Sequence, residues 1–381
     1  MKLKRSIAFL LSLSMGVCCF SGCEKSEKKE EIKPMRDVTA KEIVSEMTMG
    51  WNLGNTLDAH AAKGLAAETS WGNLKAREDM FKLVKDTGMN VVRVPVTWNG
   101  HMDENYKVDK KWMARVREVV DYGINNGLYI ILDTHHEDWY YPTEENKEED
   151  IKQLKALWEQ IAEEFKGYDE HLLFEGLNEP RLRDTAMEWT AGTPAAQKII
   201  NEYEKVFYDT VRKSGGNNDK RCLLLTGYAA SPLVSALQAI DIQGIVAKDD
   251  KNIIVSVHEY LPYDFANNEA GTDQFDPEKD GPMFESLFMN IESTFLAMDI
   301  PVIITEFGAL NKDNVDERIE CLSYLLRCAK NVGVPCVLWD NGTFFASAQS
   351  ERFGAMNRDD PVMWREPQLI DALMKIATGK E

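Results

Sequence analysis

The sequence predicts an α/β fold of the (β/α)8 or TIM-barrel type, and two observations carry this prediction. Short apolar runs rich in β-branched residues alternate with longer segments of helical periodicity, and the 381 residues contain eight such runs. Runs such as Val302-Ile303-Ile304 are apolar at consecutive positions, which is typical of strands buried on both faces. Eight βα units favour a barrel over an open sheet, and no Gly-rich phosphate turn of the doubly wound kind follows any run.

The segments between the runs supply the helical half of each unit. Residues 151–165 and 194–211 carry apolar side chains at helical spacing, and a last helix is predicted over residues 367–377. Residues 267–282, rich in Gly, Asp, Asn and Glu, are predicted to form the longest loop. The eight predicted strands lie within residues 49–57, 90–96, 128–134, 172–178, 222–227, 252–260, 301–308 and 336–342.

The N-terminus has the features of an export signal. Three basic residues precede an apolar stretch, residues 6–20, that is too short for an ordinary transmembrane helix. The Phe-Ser-Gly-Cys sequence that follows resembles a bacterial lipobox, so we expect residues 1–23 to be a signal and Cys23 to be lipidated. Phe20 stands where Leu is usual, and cleavage as a plain secretory peptide is the alternative. Charged residues 24–36 are predicted to be a flexible tether and residues 37–381 the barrel domain.

Charge and cysteine content exclude several classes of protein. The net charge is −19, and removing the signal, which holds three basic residues and no acidic ones, leaves 41 basic and 63 acidic residues, a net charge of −22. This acidity disfavours nucleic acid and anionic lipid as partners, so only the lipid anchor would reach the membrane. Cys222, Cys321, Cys328 and Cys336 lack the paired spacing of a zinc site, and their disulfide state is left open.

Polar side chains able to do chemistry follow the apolar runs at their C-terminal ends. In a barrel these ends form one face, so we expect residues from distant parts of the chain to share one pocket. Any single member has a structural alternative: Arg93 as a buried ion-pair partner, Asn178 as a turn residue, Trp339 as a plug. The converging residues are Asn52, Asn55, Arg93, His135, His136, Asn178, Glu179, His258, Tyr260, Glu306, Trp339, Asp340 and Asn341.

Two neighbouring histidines follow the third run, and successive strand residues point to opposite sides. We therefore expect His135 to face the pocket centre. A metal held by His135, His136, Glu137 and His258 is the alternative use of these side chains. Because a pair of glutamates gives the pocket a simpler chemistry, the expectation is no metal and no cofactor.

At these residues the chain resembles glycoside hydrolase family 5, the cellulase family of retaining (β/α)8 enzymes, from residue 49 to about residue 377. The resemblance implies that Glu179 is the acid/base (proton donor) and Glu306 the nucleophile. It implies substrate binding by Asn52, Arg93, His135, His136, Asn178, His258, Tyr260 and Trp339. The segments that carry the resemblance are Trp51-Asn52-Leu53-Gly54-Asn55-Thr56-Leu57, Val92-Arg93-Val94-Pro95, Asp133-Thr134-His135-His136, Leu177-Asn178-Glu179-Pro180, Val257-His258-Glu259-Tyr260, Thr305-Glu306-Phe307-Gly308 and Leu338-Trp339-Asp340-Asn341-Gly342.

The chemistry of a retaining glycosidase matches these roles. Glu306 must be ionised, whereas Glu179 must carry a proton, so its pKa is expected to rise through burial and the charge of its partner. Aromatic residues in the loops suggest a cleft that stacks on sugar rings, although some of them would only pack the loops. These aromatics are Trp71, Trp98, Trp139, Tyr140, Tyr141, Tyr263, Phe344 and Phe345.

The sequence therefore predicts a monomeric, extracellular endo-β-1,4-glucanase acting on cellulose or mixed-linkage β-glucan. A xyloglucanase or β-mannanase of the same family is the nearest alternative. A non-hydrolytic glycan-binding surface lipoprotein is a rival from another class, but it would not need two converging glutamates. A lyase or aldolase is disfavoured because no lysine lies at the ends of the eight runs.

Overall fold

Helix and strand bounds come from a computed structural model, which describes residues 34–346 and 351–380. The predicted signal, Cys23 and residues 24–33 of the predicted tether lie outside this range. Within it, no helix combines the length and apolar character needed to cross a lipid bilayer.

Eight parallel strands form a closed barrel in chain order, with β8 pairing back onto β1, and this confirms the predicted fold. Each predicted run contains its strand, but most runs extend beyond it because they include the polar residues of the following loop. The strands are β1 (Met49–Asn52), β2 (Val91–Val94), β3 (Tyr129–Asp133), β4 (Leu172–Glu175), β5 (Leu223–Thr226), β6 (Ile253–Glu259), β7 (Val302–Phe307) and β8 (Cys336–Leu338).

Helices surround the barrel, and local signals fix several of their starts. Thr193 caps a helix that has Pro194 in its first turn, and Asp276 does the same before Pro277. The predicted loop at 267–282 was therefore too long, because its last six residues are helical. The helices are α1 (Ala40–Glu46), α2 (Glu78–Thr87), α3 (Lys110–Asn125), α4 (Lys147–Phe165), α5 (Pro194–Lys213), α6 (Val234–Leu237), α7 (Ile242–Ile245), α8 (Tyr263–Ala266), α9 (Pro277–Thr294), α10 (Val315–Asn331) and α11 (Pro367–Thr378).

Short elements complete the described chain. β9 (Met356–Asn357) and β10 (Met363–Trp364) pair as a two-stranded antiparallel sheet after the barrel closes. Four 3-10 turns lie at Gly64–Thr69, Gly216–Asp219, Tyr228–Ala230 and Leu296–Met298. The four cysteines of the barrel are free thiols.

Two apolar cores hold the barrel, one around its strands and one inside its lower end. The larger core lies between the strands and the surrounding helices. The smaller one fills the lower barrel interior with residues such as Ile131, Leu173 and Ile303, and the apolar side of α1 packs against it. Since α1 packs at this lower end, polar side chains collect above it, toward the C-terminal ends of the strands.

Strand periodicity places a polar layer directly above the lower core. Side chains alternate across a strand, so the residue two positions after an inward-facing apolar residue also faces inward. After Ile131 comes Asp133, after Leu173 comes Glu175, and after Ile303 comes Thr305. All three polar residues are fully buried. The site is therefore built on a polar layer inside the barrel.

Candidate active site

Arg93 on β2 lies at the centre of the buried polar layer and contacts carboxylates from three other strands. Its Nη2 lies 2.7 Å from Asp133 Oδ2, its Nε 2.6 Å from Glu175 Oε2, and its Nη1 2.7 Å from Glu306 Oε1. Nη2 also donates to Asn178 Oδ1 at 2.7 Å. Burial by itself would lower the pKa of Arg93, but the three carboxylates hold that pKa well above its usual value. The guanidinium therefore stays charged and fixes the groups around it.

Glu306, near the end of β7, is held by two donors on its two oxygens. Arg93 donates to Oε1, and the Tyr260 hydroxyl donates to Oε2 at 2.8 Å. Burial raises the pKa of Glu306, and Arg93, Tyr260 and His258 counteract it only in part, so the pKa stays above the usual range. Both donors favour the ionised carboxylate, which is the form that can act as a nucleophile.

Glu179, in the loop after β4, faces Glu306 across His258. His258 Nδ1 lies 2.8 Å from Glu179 Oε1 and 3.5 Å from Glu306 Oε2. A register shift between β6 and β7 pairs Val257 with Ile304 but His258 with Glu306. This irregularity brings His258 level with Glu306. One atom from each of Glu179, His258 and Glu306 falls within 4.8 Å of the other two.

The pKa of Glu179 is shifted in the direction opposite to the expectation. Burial does raise the pKa of this carboxyl, but the hydrogen bond from His258 and the positive charges of His258 and Arg181 outweigh burial and hold the pKa below its usual range. Burial lowers the pKa of His258, whereas the charge of Glu306 and the bond to Glu179 raise it, and the net shift is upward. The hydrogen bond between the two side chains therefore favours an ionised Glu179 beside a protonated His258.

Asn52 and Asn178 lie on either side of Arg93. Asn52 is fully buried; its Nδ2 donates to the carbonyl oxygens of Thr305 and Val337, and its Oδ1 accepts from Arg93. Neither Asn52 nor Arg93 has exposed surface, so both are suited to positioning other side chains and not to direct substrate contact. Asn178 accepts from Arg93 through Oδ1, so Nδ2 is the donor that this amide can offer to another group.

His135 and Trp339 form a stacked pair at the strand ends. Their rings are 5.7 Å apart and nearly parallel, with an interplanar angle of 8°. His135 Nδ1 lies 2.8 Å from Asp133 Oδ2, so the proton is on Nδ1 and Nε2 is an acceptor. Burial, with the charge of Arg93, holds the pKa of His135 well below its usual value, so the ring is neutral. A Cβ at Gly54 would lie 2.7 Å from the Trp339 ring, which explains the glycine there.

His136 lies beside this pair, with its ring 4.4 Å from the His135 ring in a T-shaped arrangement. Its ring packs against His60 and Trp71, at centroid distances of 5.5 and 5.4 Å, and its Nε2 lies 3.8 Å from Asp58 Oδ2. Asp58, His135 and His136 are close enough to share a cation, as are Glu179, His258 and Glu306. Hydrogen bonds already give His135, Glu179, His258 and Glu306 a role without a metal.

Some of the aromatic side chains predicted in the loops are buried, and others are exposed to solvent. Trp98 and Tyr140 are buried, whereas Trp71, Tyr263 and Phe345 are exposed. The most exposed tryptophan, Trp189, lies in the loop after β4 and was not predicted. The sequence reasoning also missed Asp133 and Glu175. Their signal was strand periodicity, since each lies two residues after an inward-facing apolar residue and pairs with Arg93.

Comparison with known proteins relates this arrangement to a family. A family model described as "Cellulase (glycosyl hydrolase family 5)" matches residues 57–344. Endoglucanase B of Ruminococcus albus is 46% identical over 411 residues, covering 99% of this chain and 98% of that protein. Endoglucanase 1 of Ruminococcus albus is 49% identical over 346 residues, covering 90% of this chain and 82% of that protein. A solved structure, the GH5-4 broad specificity endoglucanase from Ruminococcus champanellensis with bound cellotriose, is 41% identical with a TM-score of 0.86, covering 90% of this chain and 100% of that one.

Replacing the shared cation tests its structural role. We expect Arg93→Met to lower the free energy of unfolding by about 3–5 kcal/mol at neutral pH, because buried carboxylates lose their counterion. Without Arg93 their pKa values in the folded state rise above those of the unfolded chain. The stability of the variant is then lost as pH rises through the folded pKa values, so urea unfolding should show a smaller deficit at pH 5 than at pH 8. Arg77→Met, at an exposed ion pair, is the control. An equal deficit at both pH values would contradict this role.

Proposed function

The chain belongs to the cellulase family, glycosyl hydrolase family 5, and on this premise we propose that it is a retaining endo-β-1,4-glucanase. The observation that carries the proposal is the pair Glu179 and Glu306, whose nearest carboxyl oxygens lie within 4.8 Å. Retaining glycosidases hold their two carboxyls about 5–5.5 Å apart, whereas inverting enzymes leave about 6.5–9.5 Å for a water molecule. The short separation supports direct attack on the sugar.

In the first step Glu306 attacks the anomeric carbon and forms a glycosyl ester. The bond to the leaving oxygen breaks, and that oxygen takes a proton from Glu179. Arg93 and Tyr260 support the ionised Glu306, since each donates to one of its oxygens. His258 Nδ1 lies 2.8 Å from Glu179 Oε1 and can pass a proton to this carboxyl before it acts as the acid.

In the second step water hydrolyses the ester. Glu179, now a carboxylate, takes a proton from the water as its oxygen bonds to the anomeric carbon from the face that the leaving group vacated. The ester bond breaks and Glu306 returns as a carboxylate. Two inversions restore the original configuration.

Three residues are suited to hold the sugar at the cleavage point. Asn178, oriented by Arg93, can donate to the 2-hydroxyl, a contact that strengthens in the oxocarbenium-like transition state. His135 offers an acceptor nitrogen because Asp133 holds its other one. Trp339 gives a flat ring for the apolar face of the pyranose. We assign Asn52 and Arg93 to positioning, since both are buried.

The substrate is assigned as β-1,4-glucan, including cellulose and mixed-linkage β-glucan. The curated relatives are endoglucanases, and the Ruminococcus champanellensis structure holds cellotriose. A glycan-binding protein would not need two carboxyls with separate donor sets. Xyloglucan and mannan remain alternatives that the assay below distinguishes.

We further propose that the protein works outside the cell as a monomer. In this proposal it is held at the bacterial membrane by lipid on Cys23, with residues 24–36 as spacer to the domain at 37–381. The support is the basic and apolar pattern of residues 1–23. Cys23→Ser should move the protein from the membrane fraction to the soluble fraction, and continued membrane association would argue against the anchor.

Variants of the two glutamates test the reaction. Glu306→Gln should abolish reducing-sugar release from carboxymethyl cellulose and mixed-linkage β-glucan, because no ester can form. Glu179→Gln should slow it about 10²–10⁴-fold. It should still release an aryl leaving group of low pKa from an aryl β-cellobioside, since that step needs no acid. Glu144→Gln, at an exposed side chain, is the control.

Binding of these glucans without release by the unaltered protein would favour a glycan-binding protein, and preference for xyloglucan or mannan would change the assigned substrate.

The acidic limb of the pH profile should follow Glu306. Activity needs this carboxyl ionised, so activity falls as pH drops through its raised pKa. Tyr260→Phe removes a donor to the carboxylate, which raises the pKa of Glu306 further and moves the acidic limb of kcat/KM to higher pH. Tyr263→Phe, at an exposed ring, should leave the limb in place. An acidic limb that does not move in Tyr260→Phe would remove Tyr260 from this role.

A further inference from the structure

A carboxylate and two histidines meet at the edge of the proposed sugar site. Asp58, in the loop after β1, and the neighbouring His135 and His136, after β3, each place one ligand atom within 4.8 Å of the other two. His136 Nε2 lies 3.8 Å from Asp58 Oδ2, and the two histidine rings are 4.4 Å apart. Two imidazoles and one carboxylate form a common ligand set of zinc sites that keep one coordination position open.

Asp58 is a buried carboxyl group without a cationic partner. It has no exposed surface, and within residues 34–346 and 351–380 it forms no ion pair with a lysine or an arginine. Its two oxygens accept the backbone N–H groups of Asn55 and Thr56, at 2.9 and 2.7 Å, which fix the group in its loop. Ionisation in such surroundings is costly, and an adjoining cation would offset the cost.

His136 has ring nitrogens to offer to an ion. Its backbone N–H donates to Thr97 Oγ1, but neither ring nitrogen forms a hydrogen bond with the part of the chain that the structure describes. The side chain is 36% exposed, so an ion can reach it from solvent. A tetrahedral zinc ion with bonds of about 2.0–2.2 Å holds its ligand atoms about 3.3 Å apart. The 3.8 Å between His136 Nε2 and Asp58 Oδ2 therefore has to close by only about 0.5 Å.

Asp133 orients His135 as the third ligand. His135 Nδ1 lies 2.8 Å from Asp133 Oδ2, so Nε2 carries the free lone pair. A histidine that donates its other nitrogen to a carboxylate is the usual arrangement behind a zinc ligand. Nε2 is also the acceptor proposed for the sugar. One lone pair cannot bind a zinc ion and accept from a hydroxyl at the same time.

The two glutamates of the active site offer a second set of ligand atoms, but positive charge surrounds that set. Glu179, His258 and Glu306 also lie within 4.8 Å of one another. Arg181 donates to Glu179 at 3.3 Å and Arg93 to Glu306 at 2.7 Å, so a divalent cation there would lie beside two guanidinium groups. Repulsion between like charges therefore favours the other set.

We infer that Asp58, His135 and His136 bind a zinc ion, and that zinc bound there competes with the glucan for His135. The inference rests on the proposed function, because the competition requires a sugar at His135. Nitrogen ligands suit zinc, whereas Mg²⁺ prefers oxygen ligands and keeps several of its waters. Zinc is an inhibitor at this site and takes no part in the two chemical steps.

Zinc binding is measured first, on the full chain without a histidine tag at about pH 7.5, where histidine is ordinarily neutral. Titration calorimetry with ZnCl₂ should show a site that His136→Gln weakens at least about 10–100-fold, since even the loss of an outer-shell partner costs that much. His171→Gln is the matched control, because His171 lies before β4 in a separate cluster with Asp169 and Glu170. It should leave this site unchanged. Thermal unfolding without zinc checks that both variants fold.

Kinetics with cellopentaose then test the competition. Zinc should raise KM of the unaltered enzyme and leave kcat unchanged, whereas Mg²⁺ should change neither. Each variant is compared with its own rates without zinc, so any other effect of His136→Gln cancels. Inhibition that lowers kcat, or that persists in His136→Gln, would place the ion elsewhere and overturn the inference. Zinc binding that leaves KM unchanged would overturn it as well.

Failure of the proposed function is distinguishable from failure of the inference. Normal hydrolysis by a protein that binds no zinc through His136 would overturn the inference alone. Zinc binding through His136 in a protein that hydrolyses no glucan would overturn the proposed function and the competition, and would leave the zinc site in place.

Discussion

The site depends on one buried cation shared by three carboxylates. Arg93 has no exposed surface, and Asp133, Glu175 and Glu306 each lie within hydrogen-bonding distance of it. A buried charge is tolerated only when it is paired and hydrogen-bonded, so these contacts constrain four strands at once. The constraint extends outward, because Asp133 also binds His135 and the backbone N–H of Val96. Side chains proposed to bind the sugar, such as His135 and Asn178, are thus oriented by the buried side chains of Asp133 and Arg93.

Glu175 carries the same constraint across the barrel. Its second oxygen accepts from Ser256, which in turn accepts from Thr305, the residue before Glu306. The nucleophile is therefore fixed by Arg93 through its side chain and by this chain of hydroxyls through its neighbour. Such a network is stable when its members are satisfied, and the side chains of Arg93, Glu175, Ser256 and Thr305 each have a partner within it.

Environment, and not residue type, separates the two glutamates. Glu306 accepts hydrogen bonds from Arg93 and Tyr260, and both favour its ionised form. Glu179 is hydrogen-bonded to His258, a titratable side chain, and to Arg181, which lies on a surface loop. The donors on Glu306 favour its ionised form against the effect of burial, while Glu179 is bonded to a histidine with which it can exchange a proton. Pairs of acids placed in different surroundings take different roles by this principle.

The sequence by itself determined the barrel, its eight strands and the residues at their C-terminal ends, because apolar patterning and helix capping are local properties. The motif around Glu179 and the one around Glu306 were readable for the same reason. Only the tertiary structure decided that Asn52 and Arg93 are buried beneath the cleft, that the pKa of Glu179 is lowered by His258 and Arg181, and that Arg181 contacts both Trp189 and Glu179. These outcomes depend on distances between strands and loops far apart in sequence. A pKa or a buried ion pair is set by such distances, which no single segment encodes.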